Sequence, residues 1–126
     1  MAKLADPFYS NAVKTNREDI DKCDGHLLDD LQTRVMFAAA FARTKHRLGL
    51  PIEDPEREAQ VRKNAVSFIK KHGCGLITKD DISEYIDIVI KITKRAEERE
   101  IAELEKENES SGDVHPKCCF EVFYGC

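Results

Sequence analysis

The chain has 126 residues, enough for one domain, and its 35% charged residues, 7% aromatic residues and lack of Trp favour amphipathic helices over a β-sandwich or β-barrel. The net charge is −4, and basic and acidic residues are interspersed as far as Glu97, which argues against the one-sided basic surface of a nucleic-acid-binding protein. No apolar run could span a bilayer and the N-terminus lacks the apolar centre of a secretory signal, so the sequence predicts a cytoplasmic protein without membrane contact.

The first predicted element is a long helix from Asn16 to about Leu48, preceded by an N-terminal extension, residues 1–15. Apolar residues recur along it at the three- and four-residue spacing of a helix stripe: Ile20, Cys23, Leu27, Leu31, Val35, Ala38, Phe41 and Ala42. Such a helix is roughly 45–50 Å long, more than one small globule needs. We therefore expect it to find its partner on another chain, which would also help so short a chain to bury a core.

A second helix is predicted after the break at Gly49 and Pro51. Asp54 caps its start and Pro55 occupies its first turn, where acidic side chains face the positive end of the helix dipole. It ends at about His72, before a glycine-containing stop. A third helix opens at Thr78 or Lys79 and continues to about residue 108, so residues 16–108 are predicted to form one all-α domain of a long, a short and a long helix.

Residues 109–126 form a tail of different composition, with Cys118, Cys119 and Cys126 in its last nine residues. Together with His115 they match no standard zinc spacing, and adjacent Cys residues cannot easily share one site. A disulfide within or between subunits is the better hypothesis if the compartment is oxidising, and a secreted location stays open if a signal peptide was removed. Otherwise the aromatic residues near Phe120 dock the tail on the helices.

Two cations interrupt the apolar stripe of the first helix. Arg34 and Lys45 are eleven residues apart, which is three helical turns, so both leave the same side of the helix. Cations in an apolar stripe are costly unless an anion meets them, and both side chains are long enough to converge on one small dianion. Arg17 lies 17 residues before Arg34, roughly 25 Å away along the helix axis. One small ligand could therefore touch Arg17, Arg34 and Lys45 only if Arg17 came from an antiparallel neighbour.

Four more polar residues fall at positions that suit a binding site. Arg57 and Glu58 are in the first turn of the second helix, and Thr93 and Glu97 share one face of the third helix where its apolar stripe ends. The segments that carry these residues are NREDIDKCDGHLLDDLQTRVMFAAAFARTKHR, GLPIEDPERE and ISEYIDIVIKITKRAEE. Over about residues 16–100 they resemble the all-helical, AroQ-class chorismate mutases.

This resemblance implies an intertwined homodimer that rearranges chorismate to prephenate in the shikimate route to Phe and Tyr. It implies a pericyclic reaction that needs no cofactor, metal or covalent intermediate. The enzyme works by binding a compact substrate conformer and stabilising charge on the breaking ether oxygen.

The resemblance also implies a role for each cation. Arg34 grips one substrate carboxylate, and Arg17 from the other subunit grips the second. Arg57 supports the ring carboxylate, directly or through water, and Thr93 adds a hydroxyl contact. Lys45 donates a hydrogen bond to the ether oxygen, where negative charge develops.

Three acidic residues complete the implied substrate-binding set. Glu58 accepts a hydrogen bond from the substrate hydroxyl, and Asp54 positions that end while it caps its helix. Glu97 stands where many relatives have Gln and others have Glu. A carboxyl group can donate to the ether oxygen only when protonated, so activity is expected to fall as the pH rises through the pKa of Glu97. Arg34, Lys45 and Glu97 are therefore the predicted catalytic residues.

Two alternatives stay open. An isochorismate-pyruvate lyase, which forms salicylate, resembles this fold and shares its carboxylate-binding cations, but such lyases tend to lack the paired acids that Asp54 and Glu58 supply here. The second alternative is a non-catalytic helical dimer that serves as a binding or regulatory module. Loss of some polar pocket residues would be expected in such a module, and none is lost here.

Overall fold

Three helices and no strand make up residues 6–111, the part of the chain that the computed structural model describes. They are α1 (Pro7–Leu48), α2 (Pro55–His72) and α3 (Lys79–Ser111). The predicted all-α class, with a long, a short and a long helix, is confirmed. The predicted residues of the Cys-containing tail, His115, Cys118, Cys119, Phe120 and Cys126, lie outside the described residues.

Helix α1 begins earlier than predicted, at Pro7 instead of Asn16. The side chain of Asp6 accepts a hydrogen bond from the backbone N–H of Phe8 (2.9 Å), and its carbonyl accepts from Ser10 (3.0 Å). Asp6 therefore caps the helix, and Pro7 fits the first position because its missing N–H would have had no helical partner. Most of the predicted extension is thus helical, while the predicted domain boundaries themselves stay predictions.

Three other helix ends follow the sequence. Gly49 has a φ of 68°, and the N–H groups of Gly49 and Leu50 donate to the carbonyls of His46 and Lys45, so α1 ends in a Schellman motif. The side chain of Asp54 caps α2 by accepting from the N–H of Arg57 (3.0 Å). At the start of α3, Thr78 and Asp81 each accept a hydrogen bond from the other's backbone N–H (3.1 and 3.0 Å), which forms a capping box.

The described residues fall into two compact units, divided between Thr33 and Arg34. In the N-terminal unit, residues 6–33 are helical from Pro7 onwards and none of them is buried. In the C-terminal unit, α2 packs against α3. The buried apolar residues of the C-terminal unit come from the last turns of α1 and from α3: Ala39, Ala42, Val89, Ile90 and Leu104.

No helix within residues 6–111 has both the length and the apolar character that crossing a bilayer demands. The cytoplasmic location stays a prediction.

Candidate active site

A cavity of about 380 Å³ opens in the C-terminal unit among the end of α1, the start of α2 and the middle of α3. Its walls are largely apolar and are formed by Phe37, Ala38, Phe41, Ile52, Val61 and Ile90. Its polar lining consists of Arg34, Lys45, Asp54, Arg57, Glu58, Thr93, Lys94 and Glu97. The cavity therefore brings together every predicted site residue except Arg17, which lies on α1 in the N-terminal unit and is exposed to solvent.

The two cations of α1 are held in defined positions at this cavity. A guanidinium nitrogen of Arg34, Nη1, donates to the hydroxyl of Thr93 at 2.6 Å. The ammonium of Lys45 donates to the carbonyl oxygen of Ile52 at 3.1 Å and lies 4.6 Å from the centre of the Phe41 ring. Arg has five N–H donors and Lys has three, so both keep donors for a ligand after making these contacts.

Thr93 has its hydroxyl fully engaged by the protein. The residue is 5% exposed, accepts from Arg34 and donates to the carbonyl of Val89, one turn earlier in its own helix, at 2.7 Å. A Thr hydroxyl has a single proton. In this arrangement that proton points at the α3 backbone, and Thr93 holds the Arg34 guanidinium in place. The direct contact of Thr93 with a substrate stays a prediction.

The first turn of α2 supplies the acidic edge of the cavity. Asp54 is committed to the N-cap of α2, and Arg57 is exposed at the cavity rim. The carboxylate of Glu58 forms a 2.6 Å ion pair with the ammonium of Lys94 on α3. Glu58 is the better enclosed of the two, with 20% of its side chain exposed compared with 31% for Lys94.

Glu97 is a buried carboxyl group, 9% exposed, and makes no hydrogen bond or ion pair with any residue in the described part of the chain. Burial raises the pKa of Glu97 above its usual range, because an ionised carboxylate loses its hydration there. Lys45 and Arg34 on α1 and Lys94 on α3 oppose this rise in the pKa, and Glu58 on α2 adds to it.

Among the described residues that line the cavity, Lys94 is the one polar residue that was not predicted from the sequence. Its ammonium lies 2.6 Å from Glu58 and 3.6 Å from the exposed carboxylate of Glu53. Lys94 lies on one helix face between Ile90 and Glu97, four residues after one and three before the other. Its other neighbours on that face, Lys91 and Glu98, are charged, so Lys94 does not stand out in the sequence as Arg34 does in its apolar stripe.

Comparisons with known proteins identify relatives of this chain. The sequence pattern of the family described as chorismate mutase type II matches residues 16–98. A 4-amino-4-deoxychorismate mutase of Streptomyces venezuelae is 33% identical over 63 residues, which are 50% of this chain and 61% of that protein. A chorismate mutase of Methanocaldococcus jannaschii is 36% identical over 56 residues, 44% of this chain and 57% of that protein. The matches thus span less than two thirds of either relative, and no solved structure gives a significant match.

Proposed function

Because this chain belongs to the chorismate mutase type II family, we propose that it catalyses the rearrangement of chorismate to prephenate. The observation that carries the proposal is the convergence of Arg34, Lys45 and Glu97 on one apolar-walled cavity. About 380 Å³ lies within the range of small-molecule sites. The cavity also contains cations that can bind the two carboxylates of the substrate. In addition, Lys45 and the protonated carboxyl of Glu97 can donate hydrogen bonds to the breaking ether oxygen.

Substrate binding is the first task of this site. Arg34 receives one carboxylate, and its guanidinium is already oriented by Thr93, so little side-chain freedom is lost on binding. Arg57, at the cavity rim, supports the ring carboxylate. A flexible substrate held at both carboxylates is confined to the compact conformer that reacts, which lowers the entropic part of the barrier.

Stabilisation of developing charge is the second task. As the ether bond breaks, negative charge grows on its oxygen, and a prepositioned donor that meets this charge lowers the barrier. The ammonium of Lys45 is one such donor, since the Ile52 carbonyl and the Phe41 ring fix its position. The protonated carboxyl of Glu97 is the other donor. Its burial keeps the proton on the carboxyl group to a higher pH than usual.

The hydroxyl end of the substrate lies at the start of α2 in this proposal. The carboxylate of Glu58 accepts a hydrogen bond from the hydroxyl, and Asp54 fixes the first turn of α2 from which Glu58 projects. Asp54 thus positions this end of the site through the helix cap.

We also propose that two copies form a homodimer in which Arg17 reaches the cavity of the partner. Three apolar residues of the N-terminal unit, Val13, Ile20 and Leu27, recur at every seventh position and are all exposed. Such a repeat is typical of paired helices, and a second copy would cover it. Arg17 lies four residues after Val13 and three before Ile20, so it shares their face. A trans contact of Arg17 also agrees with the helical spacing predicted from the sequence.

The relative from S. venezuelae raises a second candidate substrate. Its name describes a mutase of 4-amino-4-deoxychorismate, in which an amino group replaces one hydroxyl. Both substrates would undergo the same rearrangement and would differ only at the group that faces Glu58. We propose chorismate as the substrate of this chain.

Product identification tests the proposed reaction against the lyase. The full chain is incubated with chorismate and, separately, with isochorismate, and the products are separated by chromatography. Prephenate from chorismate, with no salicylate from isochorismate, is the expected result. Salicylate and pyruvate from isochorismate would establish the lyase instead, and no product from either substrate would favour the non-catalytic module.

A further inference from the structure

The ion pair between Lys94 and Glu58 is the part of the cavity that the proposed reaction leaves unexplained. Their 2.6 Å contact joins the middle of α3 to the first turn of α2 directly at the cavity lining. The hydrogen bond from Lys94 to Glu58 raises the pKa of Lys94 above its usual range, so the side chain stays charged at neutral pH. Glu58 is the residue that binds the substrate hydroxyl in the proposed function, and one of its carboxylate oxygens is thus already paired with a cation.

A paired carboxylate discriminates between two kinds of substrate donor. A neutral hydroxyl can donate to Glu58 beside Lys94 without electrostatic penalty. An ammonium group in the same place would share the carboxylate with the Lys94 ammonium, and two like charges a few ångströms apart repel each other strongly in a partly enclosed site. Without Lys94, the unpaired Glu58 carboxylate would instead attract an ammonium group more strongly than a hydroxyl.

The net charge of the whole cavity also favours a substrate with a hydroxyl over one with an ammonium group. Four cations line it, Arg34, Lys45, Arg57 and Lys94, against the carboxyl groups of Asp54, Glu58 and Glu97. With Glu97 protonated, the cations of this chain exceed its carboxylates by two, and Arg17 of the partner subunit raises the excess to three in the proposed dimer, so the cavity suits a substrate with two carboxylates and no cation. A 4-amino substrate carries one positive charge more and fits this balance less well.

We infer that Lys94 is a specificity-determining residue that makes the cavity select a 4-hydroxy substrate and reject its 4-amino counterpart. This inference rests on the proposed function and deepens it, because it names the ring substituent that the site reads. Lys94 acts through Glu58 and through the cavity's net charge.

The test measures kcat/KM for chorismate and for 4-amino-4-deoxychorismate with the same set of proteins. Lys94→Met removes the charge and keeps an apolar side chain of similar length, while Lys94→Arg keeps the charge. Lys91→Met is the matched control, since Lys91 is exposed on the same helix and does not line the cavity. Circular dichroism and thermal melts establish that each variant is folded.

We expect wild type, Lys91→Met and Lys94→Arg to prefer chorismate, and Lys94→Met to lose about tenfold or more of that preference through improved use of the amino substrate. An unchanged ratio of the two kcat/KM values in folded Lys94→Met would overturn the inference and leave the proposed function intact. A wild-type preference for the amino substrate would also overturn it. If Lys94→Met does not fold, Lys94→Gln replaces it with the same expected loss of preference. Absence of turnover with either substrate would contradict the proposed function itself, which separates the two failures.

Discussion

Replacing Glu97 by Gln should remove the pH dependence of the reaction on its alkaline side. In the proposed mechanism only the protonated carboxyl group of Glu97 can donate to the ether oxygen, so we expect activity below the pKa of Glu97 and its loss as the pH rises through that pKa. The pKa lies above the usual range because burial dominates, with Lys45 and Arg34 on α1 and Lys94 on α3 opposing it and Glu58 on α2 reinforcing it. A Gln amide donates at every pH.

The size of the effect follows from the loss of one proton. Above the pKa, each pH unit lowers the protonated fraction about tenfold, so kcat should fall with a slope near −1 on a logarithmic plot. The plateau of the Gln variant should stay within about tenfold of the wild-type plateau, because the donor is retained. Glu97→Ala, which has no donor, should instead lose about a hundredfold or more at low pH.

The assay is kcat for chorismate from pH 5 to 9.5 at constant ionic strength, with Glu98→Gln as the matched control. Glu98 is the next residue of α3, is exposed and does not line the cavity, so its variant should keep the wild-type profile. A wild-type kcat that stays constant over this range would refute the protonated-donor mechanism. A Glu97→Gln variant that kept the wild-type slope would refute it as well.

Three further predictions concern positioning, assembly and the fold. Thr93→Val removes the hydroxyl that holds Arg34, so its kcat/KM should fall about tenfold. Thr93→Ser keeps the hydroxyl, so its kcat/KM should stay near the wild-type value. Equal losses in both variants would contradict the positioning role. Arg17→Ala and Arg34→Ala chains should each be inactive on their own. When equal amounts are unfolded and refolded together, half of the dimers are mixed and each has one intact site, so about a quarter of wild-type activity should return. A mixture that stays inactive would argue against a trans Arg17. Gly49→Ala should lower the free energy of unfolding, measured in urea, by about 1 kcal/mol. Gly49 has a φ of 68° and an added Cβ would meet open space, so only the backbone conformation is penalised. An unchanged unfolding midpoint would contradict this assignment.

Much of the fold could be predicted from local signals. The Asp54-Pro55 pair marks the start of α2, and Gly49 marks the end of α1, because a cap or a positive φ requires particular residues. The pair Asp6-Pro7 carries the same start signal for α1, and Val13 extends the seven-residue spacing of Ile20 and Leu27 towards it. An apolar stripe counted from Ile20 misses both signals and places the start of α1 too late.

The candidate site was predictable as a set of residues but not as a network of contacts. Arg34 and Lys45 stand out because charge interrupts an apolar helix stripe, which is a property of sequence spacing. The pairing of Lys94 with Glu58 depends on how α3 packs against α2, and helical periodicity does not determine that register. The hydrogen bond from Arg34 to Thr93 depends likewise on how α3 lies beside the end of α1, since it joins residues 59 positions apart.

The measurement that tests the central claim most directly is the rate of prephenate formation from chorismate by the wild type, Arg34→Ala and Arg47→Ala. Arg47 lies on the same helix as Arg34, is exposed and does not line the cavity, so its variant controls for loss of an Arg from α1. We predict rapid conversion by the wild type and by Arg47→Ala, and a loss of at least about a hundredfold in kcat/KM for folded Arg34→Ala. Equal rates in Arg34→Ala and Arg47→Ala, or no conversion by the wild type, would contradict the assignment of this cavity as a chorismate mutase active site.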